Sequence, residues 1–146
     1  MTERTNTDNT FVIKNYIRYV FVSVFIMFIL NKFYLRPFVL ENDYPYIFQI
    51  VVLSLPNFSE TVMGMIIVTG ILLQLRQLFG DKSNPFKNTY VYLTTLILVS
   101  IYVISQELKL HNIGGNNVYD PFDLTASVIG LILTYITLTK FEFLKS

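Results

Sequence analysis

The sequence predicts an all-α integral membrane protein, a single bundle of four transmembrane helices. Four apolar runs centre on residues 19–30, 61–75, 90–105 and 124–138 in a chain of 146 residues that is 53% hydrophobic and 14% charged. A helix rises ~1.5 Å per residue, so ~20 residues cross a hydrocarbon core of ~30 Å. Each run approaches that length once its Lys, Arg and Tyr flanks are included, and these are residues that snorkel or anchor at the interface. The expected spans lie near 14–35, 58–79, 88–108 and 121–140, and the connections leave no room for a soluble domain, so residues 1–146 read as one unit.

Residues 1–10 form a polar tail before the first span. A basic flank followed by an apolar stretch has the outline of a signal peptide. No small-x-small cleavage site follows Leu30, however, where Asn31-Lys32-Phe33-Tyr34 comes instead. The first run is therefore read as a retained span. The connection 31–58 carries a further apolar piece, 46–55, between Pro45 and Pro56. It is too short to cross a bilayer, which predicts a short interfacial or re-entrant helix in this first outer loop.

The second span is expected to open after Pro56, because Asn57-Phe58-Ser59-Glu60 places an N-cap residue three positions before an acid, close to a capping box. Gly80 would end it, with residues 81–85 as the turn. Asn88 or Thr89 can cap the third span, which runs to about Glu107 or His111, and the Gly/Asn stretch 114–117 makes the next turn. Asp120-Pro121-Phe122-Asp123 opens the fourth, with Asp120 as N-cap, Pro121 at the first helical position and Asp123 at the third.

The charges between the spans sort by sign. With the N-terminus in the cytoplasm, Arg4, Lys14, Arg18, Arg76, Lys82, Lys87, Lys140 and Lys145 fall inside, and only Lys32, Arg36 and Lys109 outside. That is the bias the positive-inside rule weighs, so both termini are expected in the cytoplasm. Glu41, Asp43, Glu60, Glu107, Asp120 and Asp123 all fall on the outer side. Other classes are excluded by composition. No Lys/Arg cluster could follow a nucleic-acid backbone, cysteine is absent, and one histidine, His111, cannot make a multi-histidine site.

Among the outer acids, Asp120 and Asp123 are explained as helix caps, since a helix N-terminus favours negative charge. Glu107 sits at the opposite kind of helix end, where the dipole disfavours it. A membrane-edge acid without a structural role is a functional candidate; an extension of the helix to Lys109 and His111 would make it an ordinary solvated residue. Asp123, Ser127 and Gly130 share one face of the fourth helix. Ala126 and Gly130 form a small-xxx-small pair, and Gly64 and Gly70 thin the second span, so the second and fourth spans are expected to pack closely.

Glu107, the Gly/Asn-rich turn and the stretch from Asp120 to Gly130 resemble the C-terminal part of the VanZ-like family of small four-span bacterial membrane proteins. That family's pattern has a Glu ending the third span, then an Arg, an aspartate pair, an Asn four residues on and a Gly three further. Glu107, Asp120, Asp123 and Gly130 fall at matching spacings, while Ser127 occupies the Asn position and Asn117 stands about where the Arg would be. The family's Asp-Lys-x-x-His pattern has only a faint echo at 59–63. The resemblance implies a protein of the bacterial inner membrane with a role in the envelope. It implies no settled reaction.

The functional expectation is an acidic outer site acting on, or binding, a lipid- or glycan-linked envelope component. Glu107, Asp120 and Asp123 are the candidate catalytic groups. Glu107, Asp123 and Glu60 could hold a divalent cation such as Mg²⁺, which could in turn bind a lipid phosphate. Whether the chain is an enzyme stays open. A non-catalytic small subunit of a larger membrane assembly, homo- or hetero-oligomeric, is the alternative, favoured by the absence of a nucleophile–base pair and by 13 Phe and 10 Tyr that supply packing surface. An oligomeric channel is a third reading, weakened because no span carries a charge near its midplane.

Overall fold

The computed structural model describes residues 12–79, 88–107 and 120–144. Helix α1 (Asn15–Leu30) runs without a break through a π-helical turn (Asn31–Leu35) into a short helix α2 (Arg36–Glu41). The widened turn has a sequence reason. Pro37 lacks an amide and its ring would press on the carbonyl four residues back; in the π turn the Arg36 amide donates instead to Asn31 O, five residues back. At the end of α2 the Asn42 side chain donates to Phe38 O at 2.8 Å, and Asp43 turns the chain with φ 49.

The first outer loop differs from expectation. Residues 46–55 are helical, but not as a separate piece: α3 runs unbroken from Tyr46 to Phe79, 34 residues with Pro56 inside. The second span therefore does not begin after Pro56, and 57–60 is no capping box. Proline inside a helix orphans the carbonyl four residues earlier, here Val52 O. The Asn31 side chain, fully buried, donates Nδ2 to that oxygen at 3.0 Å. An amide from the first helix thus replaces the one that Pro56 lacks, and the helix continues.

Helix α4 spans Asn88–Glu107 and α5 spans Pro121–Phe141. Asp120 caps α5 as expected, its Oδ1 accepting from the Phe122 amide at 2.9 Å, with Pro121 in the first turn. The expected turns at 80–85 and 114–117, the tail 1–10, Lys109 and His111 lie outside the described residues. The four long helices have the length and composition of membrane spans, and the chain is an integral membrane protein of all-α class.

Helix α3 is the hub, packed against α1, α4 and α5, whereas α1 makes its close helix contacts on α3 rather than on α4 or α5. The interior is rich in hydroxyls: Ser59, Thr61, Thr69, Thr95, Ser127 and Thr134 are all buried. Ser59, Thr61 and Thr134 return their protons to carbonyls four residues back, and Thr69 donates to Thr95 across α3 and α4 at 3.3 Å. Small residues let the backbones approach, as expected for the second and fourth spans. A Cβ on Gly130 would lie 3.1 Å from Phe58 O and 3.3 Å from Thr61 Cβ. Large apolar side chains such as Ile47, Phe79 and Ile101 point outward. That inversion suits lipid, where helix association depends on close packing and hydrogen bonds rather than on expulsion of water.

The two ends of the described chain meet at one end of the bundle. Ile13 and Leu144 form an isolated antiparallel bridge, Lys14 N donates to Phe143 O at 3.0 Å, and Lys14 Nζ donates to Phe141 O at 2.7 Å. The Tyr16 hydroxyl donates to Glu142 O at 2.8 Å. Phe143 is 1% exposed, its amide donating to Tyr92 Oη at 2.9 Å and its ring resting against Gly70. We refer to this arrangement as the clasp. At the opposite end Tyr34, Phe38, Tyr44 and Phe48 form a row of rings spaced 6.4, 5.7 and 5.5 Å apart, the composition of an interfacial aromatic belt.

Candidate functional site

Continuity of α3 through Pro56 carries Ser54 and Asn57 up beside the start of α5, at the end of the bundle opposite the clasp. There they face Asp123, with Asp120 of the same helix start and Arg36 of α2 within electrostatic range. Asp123 is half-buried, and its Oδ1 is buried without a hydrogen-bond partner. Ser54 is 6% exposed, and although neither its Oγ nor Asp123 Oδ1 has a partner of good hydrogen-bond geometry, Ser54 and Asn57 stand close enough to favour the charged carboxylate by hydrogen bonding. Ser127, one turn further along α5, is buried beneath them.

The two aspartates thus separate. Asp120 spends an oxygen on the Phe122 amide and is accounted for as a cap. Asp123 gains from the helix dipole, but a buried carboxylate oxygen that accepts no hydrogen bond is costly, typically ~1–3 kcal/mol or more for a charged group. Such an atom calls for a donor, whether a water, an ion or a ligand group. The third unpartnered buried atom among the described residues is Asn31 Oδ1, on the same side of the membrane but beside Val52 rather than Asp123.

Of the other expected site residues, Glu60 lies on α3 between buried Ser59 and Thr61 and is itself exposed, so its carboxylate points out of the bundle. Glu107 is the last residue of α4, and its side chain lies outside the described part. Among the described residues no three His, Cys, Asp or Glu side chains come together to hold a metal ion. The structure brings Asp120 and Asp123 together and adds three groups that sequence reasoning missed: Ser54, Asn57 and Arg36. A hydroxyl in the otherwise apolar stretch 50–55 was the available signal for Ser54. Arg36 gave none beyond its charge.

The arrangement can accept a proton from a ligand hydroxyl or ammonium at Asp123, offer hydrogen bonds from Ser54 and Asn57, and pair an anionic group with the Arg36 guanidinium. No protein family, curated protein or solved structure matches the chain.

Proposed function

We propose that this chain is a bacterial inner-membrane protein of VanZ-like type that binds the headgroup of a lipid-linked envelope component at the outer end of its bundle. The observation that carries this reading is the unpartnered buried pair, Asp123 Oδ1 and Ser54 Oγ, beside the Arg36 cation. A phosphate-bearing headgroup supplies what both halves lack. Its hydroxyl or ammonium donates to Asp123, and its phosphate pairs with Arg36, which the positive end of α5 reinforces. The basic residues on the clasp side support cytoplasmic termini and an outward-facing Asp123.

The test is a comparison of lipids retained by the full chain and by Asp123→Asn, purified from bacterial membranes in mild detergent and identified by native mass spectrometry. The substitution keeps size and removes the charge. Loss of a phosphate- and hydroxyl-bearing lipid from the variant, with its melting temperature unchanged, supports the reading. An identical lipid profile from both proteins overturns it.

A further inference from the structure

A second site lies near the clasp, in the opposite leaflet. A groove of about 520 Å³ lies between α1 and α3, walled by both helices and containing no residue of α5 itself. The volume falls within the range of ~300–1,000 Å³ seen for small-molecule sites. Phe21 and Val22 form one wall, Ile67 and Ile71 the other, and Phe143 closes the floor where Gly70 leaves room for its ring. Val22, Ile67 and Ile71 are about half exposed, so the groove opens sideways into hydrocarbon.

The rim is polar and carries one sign of charge. Arg18, in the first turn of α1, and Gln74 on α3 are the polar side chains lining it. Both are exposed, and no carboxylate among the described residues pairs with Arg18. Lys14, one turn earlier, is already committed: its Nζ donates to Phe141 O at 2.7 Å and lies 3.8 Å from Glu142. The guanidinium is therefore left as the group that reads whatever occupies the groove.

From this geometry we infer that the groove is a binding site for a phospholipid with a net negative headgroup. One acyl chain lies along Phe21, Val22, Ile67 and Ile71, and the phosphodiester is held by Arg18 with Gln74 beside it. Planar guanidinium suits a phosphate through two parallel hydrogen bonds, and charge complementarity selects an anionic over a zwitterionic headgroup. This site is independent of Asp123 and faces the other leaflet.

The experiment is a titration of the purified full chain in detergent with phosphatidylglycerol or phosphatidylcholine of equal chain length, with bound lipids counted by native mass spectrometry. The expected preference for phosphatidylglycerol is about tenfold, near the strength of one charge-assisted pair. Arg18→Gln should erase that preference, weakening phosphatidylglycerol about tenfold more than phosphatidylcholine, whose phosphodiester loses the same hydrogen bonds but no net charge attraction. Val22→Trp, which fills the groove from an exposed position, should weaken both lipids alike. Melting temperatures of the two variants confirm that each is folded. Equal binding of the two lipids by the native chain overturns the proposal. So does a preference that survives Arg18→Gln, or a dimer in which a second copy covers Val22.

Discussion

The bond from Asn31 to Val52 O makes a quantitative prediction about helix α3. Asn31→Ala removes the donor that replaces the missing Pro56 amide and leaves a buried carbonyl unpaired, at a cost of ~1–3 kcal/mol. Some of this is offset, because the same substitution removes the unpartnered Asn31 Oδ1. The net loss should be about 1–2 kcal/mol, in keeping with hydrogen bonds measured inside membrane proteins. A second substitution isolates the cause. Pro56→Ala restores a backbone amide in reach of Val52 O, so Asn31→Ala in that background should cost about 1 kcal/mol less. The small cavity left by Asn31→Ala is common to both backgrounds and cancels in the cycle. Asn31→Asp is the control: it turns an acceptor toward an acceptor and should cost more than the alanine. Reversible unfolding in mixed micelles with increasing dodecyl sulfate reads all five proteins, the native chain included. If Asn31→Ala costs the same with and without Pro56, to within about 0.3 kcal/mol, the Asn31 amide is not what lets α3 pass through its proline.

Two further substitutions test the packing and the clasp. Gly130→Ala places a methyl group 3.1 Å from Phe58 O, against backbone that cannot easily give way, so the α3–α5 pair should lose about 1–3 kcal/mol in the same unfolding assay; an unchanged midpoint would mean the helices sit further apart. Glu142 ends α5 with φ 56 and ψ 148, a region that side chains rarely adopt, so Glu142→Gly should stabilise the protein by about 1 kcal/mol. The lost Lys14 pair subtracts little, since at 3.8 Å and with the Glu142 carboxylate more than half exposed it contributes weakly; a destabilised variant would show that the pair outweighs the backbone strain.

The parts of this structure that local sequence encodes were legible before it was seen. Apolar runs of the right length mark the four spans, Asp120-Pro121 marks the start of α5, and Gly130 with Ser127 marks the face that meets α3. Pro56 misled for a physical reason. A proline followed by Asn57 and Glu60 has the local chemistry of a helix start, and the side chain that overrides it, Asn31, lies on another helix, 21 residues before the carbonyl it serves. Ser54 and Asn57 were missed as neighbours of Asp123 by the same error, because a break at Pro56 would have put Ser54 in a separate element. The clasp is also non-local: nothing around Tyr92 indicates that its hydroxyl receives the amide of Phe143, 51 residues later. Asp123 and its neighbour Asp120 were legible as helix-start acids, whereas Ser54, Asn57 and Arg36 come from elements whose placement the local sequence does not encode.

The clasp sets an order of events during biogenesis. Helix α1 leaves the ribosome before α3, α4 and α5, yet the residues that hold its start, Phe141 to Leu144, follow it in the chain, Phe141 lying 127 positions after Lys14. Until they emerge, α1 has only α3 among the long helices to lean on. Closure of the clasp therefore waits until α5 and the residues after it have been made.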